Sequence, residues 1–146
     1  MAADQTPTLR PLRLRMAAAA RAAGKPQFVL EKDYALSYLA AAIAWMERLR
    51  SIVVFKGGTC LRKTYFPGYR FSEDLDFTAR RPVSCSALLD ELRVAGQRMQ
   101  EQLLVNGPFE VAVTEERHRQ PHQRGQCAFR VRVQFPWMRS ADCSLK

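Results

Sequence analysis

An α+β fold, a mixed β-sheet with helices packed on it, is what this sequence predicts. Three observations predict it. Two long stretches carry apolar residues at helical spacing, around Leu30–Leu49 and Leu88–Leu103. Short β-branched and aromatic runs stand between and after them, the later ones alternating apolar with polar. Glycine and proline turns separate the segments at Gly24, Pro67-Gly68 and Asn106-Gly107-Pro108. Helices and strands in that mixed order give helices layered on a sheet.

Each element has its own justification. Residues 1 to 9 form a loose tail, and Arg10 to Ala23 a basic helix that Gly24 stops. The second helix runs from Gln27 to Arg50, with Leu30, Tyr34, Leu36, Leu39, Ile43, Met46 and Leu49 on its apolar positions. Ser51 to Phe55 reads as a buried strand that ends at Lys56-Gly57-Gly58-Thr59. A short helix follows over Cys60 to Tyr65, then a strand around Asp74 to Thr78. Leu88, Leu92, Ala95, Met99 and Leu103 line one face of a helix from Ser86 to Val105. Phe109 to Thr114 and Ala128 to Phe135 alternate as half-exposed strands, joined by an arginine-rich polar loop over 115–125. Pro136 to Ala141 is expected as a loop, and Cys143 to Lys146 as the start of a strand.

Composition narrows the function classes. The chain has 146 residues, 47% of them hydrophobic, which suits one domain with a real core. It holds 23 Lys and Arg against 14 Asp and Glu, a formal charge of +9 that favours polyanionic partners such as nucleotides or nucleic acid. No apolar run is long enough to span a membrane. The cysteines at 60, 85, 127 and 143 show no C-x-x-C pair and no disulfide framework, so reduced thiols and a cytoplasmic location are expected. His118 and His122 have metal-ligand spacing, but Pro121 breaks any helix between them, which disfavours zinc. Cys60 lacks a histidine near it in sequence and reads as a packing residue rather than a nucleophile.

The chemistry concentrates in one segment, FKGGTCLRKTYFPGYRFSEDLDFT, from Phe55 to Thr78. On a strand, residues two apart share a face, so Asp74 and Asp76 project together while Leu75 and Phe77 turn inward. Two adjacent carboxylates repel unless a cation lies between them, and hard oxygen ligands suit Mg²⁺ (or Mn²⁺). Upstream, Gly57-Gly58-Thr59 follows a buried strand and opens a helix. Glycines let backbone approach a bound group, and the amides at a helix start cradle phosphate, with the Thr59 hydroxyl beside them. The turn lacks the spacing of a Walker loop. Lys56, Arg70 and Ser72 stand where further phosphate contacts are expected. Together these features describe a site that grips a nucleoside triphosphate by its phosphates and metal.

This segment resembles the first motif of DNA-polymerase-β-type nucleotidyltransferases, and more narrowly the AbiEii-type toxins of abortive-infection, type IV toxin–antitoxin systems. LEKDYALSYLAAAIA, around Glu31, Lys32 and Asp33, is similar to that family's first long helix. The resemblance implies a nucleotidyltransferase palm over residues 27–146, preceded by a basic tail and helix over 1–26. It implies that Asp74 and Asp76 are catalytic metal ligands for Mg²⁺, that Gly58 and Thr59 meet phosphate, and that a nucleotide passes from a nucleoside triphosphate to RNA, with tRNA ends as acceptor and an antitoxin protein as partner. It also implies a third carboxylate on a later strand, just after a lysine at the position of Lys146. The sequence stops there, and Asp142, the nearest acid, is expected in a loop. The palm is therefore expected to be incomplete at its C-terminus. That leaves two alternatives: a truncated, inactive remnant that binds nucleotide, RNA or antitoxin, and a structural domain in which Asp-Leu-Asp is incidental.

Overall fold

The computed structural model describes residues 9–116 and 126–146. The tail at 1–8, and the arginine-rich segment with His118 and His122, lie outside the described residues. Helix α1 (Leu12–Ala23) buries Leu12, Met16 and Ala20, one residue per turn along a single stripe. Gly24 ends it in the left-handed region (φ 60°), and the Lys25 amide returns to the Ala20 carbonyl.

The expected helix Gln27–Arg50 is two helices. Helix α2 (Gln27–Trp45) stops at Met46, a single extended residue (φ −85°, ψ 106°), and α3 (Glu47–Ile52) starts anew. Met46 and Leu49 still join the core formed by the α2 stripe of Ala35, Leu36, Leu39, Ala42 and Ile43, and α3 also buries Ile52. Trp45 is left exposed at the break. The buried acid Glu31 is satisfied by Gln27 (2.8 Å) and by the Trp137 indole N–H (3.0 Å).

Strand β1 (Val53–Lys56) leads into α4 (Gly57–Cys60), which runs on as a π-helical turn over Leu61–Tyr65. Then come β2 (Asp74–Ala79), α5 (Cys85–Leu103), a 3₁₀ turn (Leu104–Asn106), β3 (Glu110–Glu115), β4 (Phe129–Gln134) and β5 (Ser140–Leu145). Ser84 caps α5 by accepting the Ala87 amide. The last strand begins three residues earlier than expected. Asp142, expected in a loop, therefore lies within β5. Its carboxylate takes both guanidinium nitrogens of Arg132 on β4 (2.8 and 3.0 Å). That bidentate pair holds Asp142 below the usual carboxylate range.

The five strands form one sheet in the order β1-β2-β5-β4-β3. All neighbours are antiparallel except β2 and β5, where Asp74 stands beside Ser144 and Leu75 beside Leu145. Lys146 extends that parallel seam by one step: its amide donates to Leu75 and its carbonyl accepts from Phe77. Helices α2 and α5 cover one face, over Leu75, Phe129, Val131, Val133, Cys143 and Leu145. Leu12 and Met16 of α1 join the same core. The opposite face carries the alternate residues of each strand, and no long helix among the described residues covers it.

A disulfide corrects the expectation of four reduced thiols. Cys85, at the start of α5, is bonded to Cys127, just before β4. The two are 42 residues apart in sequence, and only the fold brings them to a Cα separation of 5.4 Å. Cys60 and Cys143 are free, and burial pushes the Cys143 thiol up to about 12.

Candidate active site

Strand pairing assembles the site on the open face. In the β1–β2 ladder Lys56 pairs with Asp76, so the two side chains stand on the same side. Asp74 and Asp76 share that face by the two-residue period of β2. On the other flank Lys146 comes level with Asp76, and its Nζ reaches Asp74 Oδ2 at 2.9 Å. The two acids are thus bracketed by two lysines. The hydrogen bond to Asp74, with the charges of Asp74, Asp76 and Glu116, raises the Lys146 ammonium above its ordinary value.

The diglycine turn closes on the same acids. Gly57 sits in the left-handed region (φ 78°), and a Cβ built there would lie 2.4 Å from Asp76 Oδ2. No side chain fits between turn and carboxylate. A Cβ on Gly58 would stand 3.3 Å from Ser72 Oγ. Below the turn, the Thr59 hydroxyl donates to the Asp74 carbonyl and is buried. Lys56, the residue before α4, caps nothing with its side chain, and α4 has no acid in its first turn. Among the described residues, the amides opening the helical segment 57–65 therefore have no side-chain cap. That segment is tied to α2 through Asp33, which takes Lys63 at 2.8 Å and Arg62 at 3.7 Å.

The structure brings Lys56, Gly57, Asp74 and Asp76 to one point, with Gly58 and Ser72 beside it. Two expectations change. Thr59 holds the turn to β2 with its hydroxyl and keeps only its backbone amide for a ligand. Arg70 stands apart, exposed, in a neighbouring groove whose wall includes Ser72. Sequence reasoning missed Lys146 as the partner of Asp74. The available signal was period two: Lys146 falls on the face of Ser144, which pairs with Asp74.

Beside the acids lies a cavity of about 670 Å³ whose wall includes Lys56, Asp76 and Lys146 together with Ile43, Leu88 and Phe129. Phe77, Thr78 and Ala79 of β2 also line it. Its size is that of a small-molecule site, and its lining mixes charged with apolar side chains. Among the described residues, no group of three or more carboxylate, histidine or cysteine side chains is placed to hold a metal ion. Two carboxylates are nonetheless a fitting donor set for Mg²⁺, which keeps several waters and takes its remaining oxygens from substrate phosphates.

Residues 38–144 match the family model of the nucleotidyl transferase AbiEii toxin of type IV toxin–antitoxin systems. The chain belongs to the AbiEii family. No curated protein matches the chain. The AbiEii match opens within α2 and takes in the diglycine turn, both acids and all of the sheet except Leu145 at the end of β5. AbiEii membership brings nucleotidyl transferase toxin activity, a nucleotide substrate and an antitoxin counterpart. No helix among the described residues is long and apolar enough to cross a membrane.

Proposed function

We propose that Asp74 and Asp76 bind Mg²⁺ with a nucleoside triphosphate, and that the site transfers a nucleotide to the end of an RNA, tRNA in the first instance. The observation that carries this reading is the contact of Gly57 with Asp76, which sets backbone amides and a carboxylate pair against one another with no side chain between. Anion and cation sites at contact distance suit a metal–triphosphate complex. The amides of Gly57, Gly58 and Thr59 hold the outer phosphates. Lys56 offsets their charge, and Ser72 adds a donor on the far side of the turn. When bound, Mg²⁺ neutralises the phosphates and stabilises the departing pyrophosphate. Lys146 must release Asp74 for the cation to take it. A cytoplasmic location belongs to the same reading, since nucleoside triphosphates and RNA are there.

A second reading, binding without transfer, draws on the Lys146–Asp74 ion pair, which gives one acid of the pair a cation already. The experiment incubates the protein with labelled nucleoside triphosphates, Mg²⁺ and total tRNA, alongside an Asp74→Ala, Asp76→Ala double variant. RNA labelled by the parent protein alone supports transfer at this site. Equal labelling by both rejects the site, and nucleotide binding without labelling by the parent selects the second reading.

A further inference from the structure

A second concavity, of about 430 Å³, lies between the start of α2 and the loop over residues 68–73. Four cations line it, Lys25, Lys32, Arg62 and Arg70, against one acid, Glu73. Lys32 is paired with Glu73 at 3.5 Å, and Arg62 is held over the Phe71 ring at 3.8 Å. Lys25 and Arg70 are exposed and, among the described residues, have no carboxylate within ion-pair distance. Helix α2 opens into the same groove after Pro26, with no side-chain cap and no acid in its first turn, so its partial positive charge adds to theirs. Two rings complete it: Phe28, 56% exposed, and Tyr69, 39% exposed. A basic groove with bare aromatic faces is the arrangement that grips unpaired nucleic acid, phosphates on the cations and bases on the rings. A duplex offers no free base face to such rings.

The groove also leads somewhere. Ser72 is in its wall and faces the Cα of Gly58, and Glu73 adjoins Asp74. We propose that this groove is the entry track for the unpaired end of the acceptor RNA. One base stacks on Phe28 or Tyr69, the flanking phosphates sit on Lys25 and Arg70, and the terminal hydroxyl is delivered to the acids. The proposal rests on the transferase reading for its direction but not for its binding.

The test measures fluorescence anisotropy of a labelled eight-nucleotide single-stranded RNA on the full chain, in EDTA and without nucleotide. Lys25→Glu and the double variant Phe28→Ala, Tyr69→Ala are each expected to weaken this RNA about ten-fold. Binding of nucleoside triphosphates in Mg²⁺ stays unchanged in both, and Lys25→Arg restores the RNA. A blunt duplex of the same length binds more weakly than the single strand. RNA affinity unmoved by these substitutions overturns the track, as does a duplex bound equally well or a poly-glutamate peptide displacing the RNA at equal charge concentration. The Asp74→Ala, Asp76→Ala variant separates the two readings. If it binds the RNA normally but the parent protein labels nothing, the transfer reading fails and the track stands.

Discussion

Gly57 is the residue on which the site turns. Its backbone lies in the left-handed region and its missing side chain is the space that Asp76 occupies. Gly57→Ala therefore meets two obstacles at once. The conformation costs about 1–2 kcal/mol for a residue with a Cβ. The displaced carboxylate costs more: a shift of the order of 1 Å in a reacting group can lower turnover about 100-fold. Nucleotide transfer should fall by about that factor while a thermal melt shows a folded protein, and full activity in this variant would refute the contact. Lys146 makes the opposite case. Its ammonium occupies the place beside Asp74 that a metal would claim. Lys146→Met should tighten Mn²⁺ binding about two- to five-fold in titration calorimetry without nucleotide, the size of an exposed ion pair. Weaker Mn²⁺ binding would mean that the lysine holds the acids in place rather than competing for them.

At the same scale, the parts legible in the sequence are those with short-range rules. The shared face of Asp74 and Asp76 follows from the strand period alone. The buried bond of Thr59 to the Asp74 carbonyl does not, because it joins residues 15 apart across a turn whose path the local sequence does not set. Lys146 escaped for a similar reason. Its partner lies 72 residues away, reached through a strand pairing.

Among the elements, type was easier to infer than extent. Helical spacing found α2 and α5, but it carried α2 through Met46, because Met46 and Leu49 continue the apolar pattern across the break. Pro136 and Trp137 mask where pairing resumes, so the sequence pattern shows β5 only from Cys143 while pairing begins at Ser140. The covalent tie between α5 and β4 was not legible at all, since a spacing of 42 residues matches no framework and the pairing exists only once helix and strand pack. Closing a loop of that length is worth about 2–4 kcal/mol. Dithiothreitol should therefore lower Tm by several degrees, and Cys85→Ala should reproduce the reduced value. A Tm indifferent to dithiothreitol would show that the bond does not form. Cys143, buried with its thiol pushed up to about 12, should stay unlabelled by iodoacetamide at neutral pH in the folded protein.

Over the whole molecule, the α+β class and the basic surface were evident from pattern and composition, whereas the strand order was not. Nothing local tells β5 to enter between β2 and β4, or to run parallel to β2. The seam it forms joins two antiparallel halves, β1–β2 and β4–β3, and Leu75 lies fully buried across from Leu145 at that seam. Leu75→Ala should cost about 2–5 kcal/mol in urea unfolding. A loss under about 1 kcal/mol would place the seam outside the cooperative core.

The position of β5 also bears on how the protein comes into being. A ribosome releases the amino-terminal parts first, and β1 and β2 can pair as soon as they emerge. The inner strand that docks against them is made some 60 residues later, so the sheet must wait for it, as slow non-local pairings do. Until then the bare edge of β2 is a docking edge for any extended peptide, and the acids beside it lack their lysine neighbour. A cell that makes this toxin thus has an interval, during each round of synthesis, in which the nascent chain is still unfinished at its centre and open to capture.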